Sequence, residues 1–157
     1  MRDVAVPPEI LAEMKRHALE SFPEECCGFL IGPSPDDPDA SVRRVTSVER
    51  AANVFDGERR RRFLIRPEEL IGVERRMERE GRAILGFYHS HPNHPAQPSQ
   101  FDQDHAWPWY SYLVLSVDPH DVTAVAAFEL DPDAAVFREV GLRSETATDP
   151  AESMTRG

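Results

Sequence analysis

Positive charge is scarce in this chain, and lysine is nearly missing. Eighteen lysines and arginines stand against 28 aspartates and glutamates, giving a net charge of −10; Lys15 is the one lysine. Phosphate recognition needs a concentrated positive surface, so nucleic acid is excluded as the expected partner. The strong preference for arginine over lysine suits a GC-rich or halophilic bacterial source. The one basic cluster, Arg59-Arg60-Arg61-Arg62, reads as a solvated loop or edge, with contact to an acidic partner as the alternative. Cysteine is equally sparse: the two present, Cys26 and Cys27, are adjacent. Neighbours on a strand point to opposite faces, which disfavours a disulfide or a shared metal site between them. With no other cysteine a disulfide framework is excluded, and both read as small buried hydrophobes. No apolar run approaches the roughly 20 residues that cross a bilayer, so no membrane partner is expected. The start, Met1 to Pro8, lacks the apolar core and cleavage site of a signal peptide, so the expected location is cytoplasmic. The 157 residues, 40% hydrophobic and 29% charged, suit one globular domain with one sizeable core.

The patterning divides the chain into short elements. Pro7-Pro8 followed by Glu9, Ile10, Leu11 and Met14 predicts a helix with proline in its first turn, ending near Ser21 because Pro23 disfavours helix at Phe22. Cys26 to Gly32 is a short apolar run and predicts a strand, and the proline- and aspartate-rich 33–39 a loop. Alternation of Val42, Val45 and Val48 predicts one strand over 41–50, and Phe63-Leu64-Ile65 a brief one. Pro67 opens a second helix with Leu70, Val73 and Met77 on one face, stopped at Gly81. Strands follow at 82–91, 110–117, 122–130 and 134–140, with a short helix from Ser99, its N-cap, to about Ala106. The tail 143–157 has few large apolar residues and is expected to be disordered, leaving 1–142 as the domain. The class is α+β, or a mixed three-layer α/β/α arrangement.

The chemistry concentrates in fourteen residues: His89-Ser90-His91, seven residues, then Ser99-Gln100-Phe101-Asp102. Period-2 geometry sets His89 and His91 on one face of a strand about 7 Å apart along the backbone, able to converge on one ion, while Ser90 faces away. The third ligand must come from elsewhere, and Asp102 is well placed if the proline-rich loop folds back. Three protein ligands and an open position describe a hydrolytic zinc centre rather than a structural one. Such a centre needs a carboxylate base; Glu24 and Glu25, just before the Cys26 strand, are both candidates. Ser99 could steady an oxyanion or orient the attacking water.

Taken together, Glu25-Cys26-Cys27-Gly28, His89-Ser90-His91 and Ser99-Gln100-Phe101-Asp102 resemble the JAMM signature of MPN+ zinc metalloproteases, and the likeness extends from about residue 7 to about 142. The resemblance implies that His89, His91 and Asp102 are Zn2+ ligands, that Glu25 rather than Glu24 is the general base, and that Ser99 stabilises the tetrahedral intermediate. It implies a curved mixed sheet flanked by helices, similar to the cytidine deaminase architecture. It also implies cleavage of peptide or isopeptide bonds after the Gly-Gly end of ubiquitin-like proteins. The compact length resembles the small bacterial branch, associated with ubiquitin-like sulfur-carrier proteins.

Competing readings are a non-catalytic MPN-type scaffold that binds a ubiquitin-like partner, which the full ligand set disfavours, and a RadC-type protein, which the acidic charge disfavours. A zinc deaminase would need His-x-Glu and Pro-Cys-x-x-Cys, which do not occur. His94 and Asp104 read as exposed residues, with an extra ligand as the alternative for His94. His105 reads as a surface or packing residue, with support of a ligand as the alternative. Trp107 and Trp109 read as aromatic packing at a helix–strand junction, with a substrate groove as the alternative.

Overall fold

A computed structural model describes residues 1–144. Its centre is a mixed six-stranded sheet in the order β4-β2-β5-β6-β7-β8, formed by β2 (Cys27–Pro33), β4 (Ser47–Ala51), β5 (Arg82–Pro92), β6 (Ser111–Val117), β7 (Val122–Asp131) and β8 (Val136–Val140). β5 and β6 are parallel, and the other neighbours are antiparallel. A small parallel sheet, β3-β1-β9, joins β1 (Asp3–Ala5), β3 (Val42–Arg44) and β9 (Leu142–Arg143). Among the described residues no helix is long and apolar enough to cross a membrane.

Each face of the large sheet carries its own core. On one face, Met14 and Ala18 of helix α1 (Pro8–Ser21) pack with Leu30, Leu85, Tyr88, Leu113 and Leu115. On the other, Val73 and Met77 of α2 (Pro67–Arg79) pack with Phe29, Ile31, Phe87 and Val114. Burying each large aliphatic side chain contributes about 1.5–3 kcal/mol, so the two faces hold the three layers together. The adjacent cysteines divide as alternation requires: Cys26 belongs to the α1 core and Cys27 to the α2 core.

Three expectations are corrected. The strand foreseen over 41–50 is two strands in two sheets. The chain changes sheets at Val45, whose N–H bonds to Ala5 O, and Thr46, whose N–H bonds to Ile31 O. Residues 63–65 are not a strand, since among the described residues no strand pairs with them. Leu64 instead donates to the Asn53 side chain at 3.2 Å and accepts from Val54 N–H. Arg143, assigned to the tail, pairs with Ala5 in β9; from residue 145 the expected tail lies outside the described residues. Strands of two or three residues such as β1 and β9 leave no periodicity to detect.

Two details of β5 position the site. Pairing with β2 shifts register between Leu30 and Ile31, leaving Leu85 as the extra residue of a bulge. Beyond it the strand alternates cleanly: Tyr88 and Ser90 face α1, and Phe87, His89 and His91 face α2. Opposite Tyr88 stands Gly28, where a Cβ would lie 2.2 Å from the Tyr88 ring. Any larger residue would push β2 and β5 apart, and with them the strand that presents the histidines.

Candidate metal centre

β5 delivers both imidazoles, and α3 (Gln100–Asp104) delivers the carboxylate. Ser99 caps α3 with a reciprocal pair of bonds: its Oγ accepts from Asp102 N–H at 3.1 Å, and Asp102 Oδ2 accepts from Ser99 N–H at 2.9 Å. That capping box holds the Asp102 carboxylate in one orientation before any ligand arrives. Asp102 Oδ2 then lies 3.1 Å from Nε2 of His89 and 3.1 Å from Nε2 of His91, and the two Nε2 atoms are themselves 3.1 Å apart.

An equilateral triangle of two imidazole nitrogens and a carboxylate oxygen fits one divalent ion. Donors about 2.0–2.1 Å from a tetrahedral zinc stand about 3.3–3.4 Å from one another. His91 Nδ1 lies 3.0 Å from the carbonyl oxygen of Pro95. A carbonyl can only accept, so the proton sits on Nδ1 and Nε2 keeps its lone pair for an ion. His89 is fully enclosed, and burial lowers its pKa against the opposing pull of Asp102, which favours the neutral, ligating form. Burial works to raise the pKa of Asp102, yet His89, His91 and the Ser99 N–H together hold it well below the usual carboxylate range.

Glu25 completes the cluster from the opposite bank. One of its carboxylate oxygens and one ring nitrogen of each histidine all lie within 4.8 Å of one another. It is 4% exposed, whereas Glu24 is exposed, which separates the two sequence candidates. Its Oε1 is buried with no hydrogen-bond partner, as is Nδ1 of His89. An orphaned buried acceptor is costly, and a cation or a water in the cluster would satisfy it. Burial first, and then the charge of Asp102, pushes Glu25 up to about 9. Two carboxyl groups in one site are thus driven apart, one to be a charged donor and the other to hold or pass a proton.

The backbone around Glu25 is firmly tied. Ser90 Oγ accepts from Cys26 N–H at 2.8 Å from the far face of the sheet. Glu25 N–H donates to Arg59 O at 2.8 Å, and the Asn53 side chain donates to Glu25 O and Arg62 O. Asn53 therefore binds the strap of residues 53–65 to the glutamate. Phe63 of that strap stacks on His89 at 4.6 Å between centroids, and the Arg62 guanidinium lies 4.6 Å above the Phe101 ring. A groove of about 460 Å³ runs from His89 and Asp102 between Leu64 and Ile65 on one side and Phe101 and Trp107 on the other.

Asp104, His105 and His94 are exposed, as expected. Trp107 and Trp109 are not packed at a junction: they are 54% and 64% exposed and stacked on each other at 6.1 Å, and Trp107 lines the groove. The Pro95 carbonyl and the Ser90 hydroxyl gave no sequence signal of their roles, because each acts through one atom that any residue or many hydroxyls could supply. Asn53 acts on the backbone of Glu25 and Arg62, 28 and 9 positions away, which no local pattern announces.

A mixed sheet between two helices, with a His-x-His strand, a capped aspartate and a buried glutamate, is the arrangement of a JAB-type metal-site domain. The chain belongs to the family of prokaryotic homologs of the JAB domain, whose model matches residues 7–130. It is 36% identical over 110 residues to a desampylase of Haloferax volcanii, covering 69% of this chain and 74% of that one. It is 32% identical over 113 residues to a Thermus thermophilus protein named "Probable TtuB-protein conjugate cleaving protease", covering 72% and 70%. Solution structures of proteins from Desulfitobacterium hafniense (TM-score 0.73, 30% identity, 92% and 95% covered) and Salinibacter ruber (TM-score 0.69, 32% identity, 96% and 95% covered) share the fold.

Proposed function

We propose that this protein is a cytoplasmic zinc-dependent peptidase that hydrolyses a peptide or isopeptide bond after the C-terminal Gly-Gly of a ubiquitin-like sulfur-carrier protein. The observation that carries the reading is the triangle of His89, His91 and Asp102 donors at 3.1 Å, with the unpartnered carboxylate of Glu25 beside it. The similarity to a desampylase and to a conjugate-cleaving protease supports the substrate class.

His89, His91 and Asp102 would hold the ion. When bound, zinc would supply a Lewis acid and would lower the pKa of a water there towards about 7. A nearby cation favours the charged form of a carboxylate, so Glu25 becomes a proton acceptor in the loaded site. It takes the proton of the attacking water as the water oxygen bonds to the scissile carbonyl carbon. It then passes that proton to the departing amine nitrogen as the C–N bond breaks, leaving an acid and an amine. Ser99 Oγ spends a lone pair on Asp102 N–H, and its own hydroxyl proton remains to donate to the developing oxyanion. The apolar groove beside His89 suits an extended peptide tail without large polar side chains.

Zinc analysis together with cleavage of a Gly-Gly-extended ubiquitin-like fusion tests the reading. Wild type should bind about one zinc and cleave; Glu25→Gln should keep the zinc and lose about 10²–10⁴-fold in kcat. Full cleavage by Glu25→Gln would overturn the base assignment. Zinc binding without cleavage by wild type would favour a scaffold.

A further inference from the structure

The arginine run that the mechanism leaves unused, Arg59 to Arg62, directly precedes Phe63, Leu64 and Ile65, which line the groove. Residues 56–66 hold five arginines against Asp56 and Glu58, a net charge of +3 inside a chain of net −10. Acids outnumber bases in this protein, and seven arginines elsewhere pair with carboxylates, including Arg43 with Asp36 and Arg50 with Glu20. Among the described residues Arg60 and Arg61 have no carboxylate partner for their side chains, and both are exposed. Their backbone is not a loose loop. Arg59 O accepts from Glu25 N–H, Arg60 N–H donates to Glu58 Oε1, Arg61 N–H donates to Glu58 O, and Arg62 O accepts from Asn53. Two residues further on, Phe63 stacks on His89. The guanidinium groups are therefore presented on a built segment that touches both the candidate base and a candidate ligand.

We propose that Arg60 and Arg61 dock an acidic face of the protein whose C-terminal tail enters the groove. The inference rests on the proposed reading of the site as one that accepts a ubiquitin-like tail. Charge complementarity selects the occupant. A patch of +3 is too small to track a phosphate backbone. A protein face with a few carboxylates next to its tail matches a patch of this size, and rim charges of this kind act on encounter rate and partner choice. The segment steers the substrate so that its tail arrives at Glu25 already aligned.

The test uses the full chain with bound zinc and the Glu25→Gln change, so that binding is read apart from cleavage. Two fusions of one ubiquitin-like domain with the same Gly-Gly tail serve as probes, one with acidic residues beside the tail and one with those residues changed to amides. The acidic fusion should bind about tenfold or more tighter than the amide fusion at low salt, and the preference should fade as salt rises. Arg60→Glu/Arg61→Glu should abolish the preference, Arg60→Ala/Arg61→Ala should weaken it, and a neutral peptide with the same tail should bind all forms alike. Equal binding of both fusions, or a preference that survives the double reversal, overturns the docking surface. So does a DNA duplex that binds the patch more tightly than the acidic fusion. Discrimination in binding with no cleavage by the unmutated protein would sink the catalytic reading and leave the docking surface standing.

Discussion

Neighbouring residues of one strand put two buried histidine environments on opposite faces of the same sheet. Towards α1, the Tyr88 hydroxyl meets Nδ1 of His17 at 2.7 Å, their rings edge to face, inside an apolar core. Towards α2, His89 and His91 meet Asp102 and Glu25 at the end of an open groove. The first pair is satisfied within itself. The second leaves His89 Nδ1 and Glu25 Oε1 without partners. Burial is shared by both, so burial does not mark a site; what distinguishes the α2 face is a converging donor set with unmet bonding capacity.

The largest break in this comparison should come from Asp102→Ala. Losing one of three donors, and the acceptor of the Ser99 N–H, should remove zinc and cut cleavage by more than about 10³-fold, while circular dichroism stays that of a folded protein. Retained zinc at wild-type stoichiometry would remove Asp102 from the ligand set.

The two faces should also respond oppositely to pH when zinc is removed. Burial, with help from Arg50, lowers His17 from 6.5 to about 4. The unfolded chain then binds more protons between those values, so stability on the α1 side is lost as pH falls from 6.5 towards 4. Glu25 is raised from 4.5 to about 9, so the folded chain holds the extra proton. Its contribution is full below 4.5 and is lost as pH rises towards 9. Urea unfolding of zinc-free protein should therefore show stability falling between neutral pH and 9, and Glu25→Gln should flatten that limb alone. An unchanged limb in the variant would mean that another group titrates there.

The smallest effect should come from the closed face. Tyr88→Phe leaves His17 Nδ1 buried without its partner and should cost about 1–3 kcal/mol in urea unfolding, with zinc content and kcat unchanged. A fall in kcat to match would mean that the α1 core tunes the site through β5.

Much of this architecture was legible because it rests on periodicity and punctuation. Pro8 and Pro67 open their helices, and α1 ends at Ser21 as Pro23 requires. Ser99 is the N-cap of its short helix, as its position implies, and the structure adds the reciprocal bond to the Asp102 side chain. The strap at 63–65 departs from its pattern because three apolar residues look like a strand, whereas a strand exists only if a neighbour is there to pair with it. Trp107 and Trp109 depart from the packed arrangement, and Trp107 takes the groove alternative instead; nothing local says which aromatic residues a groove leaves open.

The residues of the centre and their two-residue and three-residue offsets are properties of the chain itself. Strand alternation aims His89 and His91 together, and helix capping orients Asp102, each through bonds between near neighbours. The resemblance already prefers Glu25 to Glu24; only the tertiary fold buries the one, exposes the other, and gives Glu25 and Asp102 opposite proton affinities. Those outcomes depend on burial, and on groups brought together from the segment entering β2, from β5 and from α3 across more than sixty positions of sequence. No local pattern encodes such distances; the sheet register does.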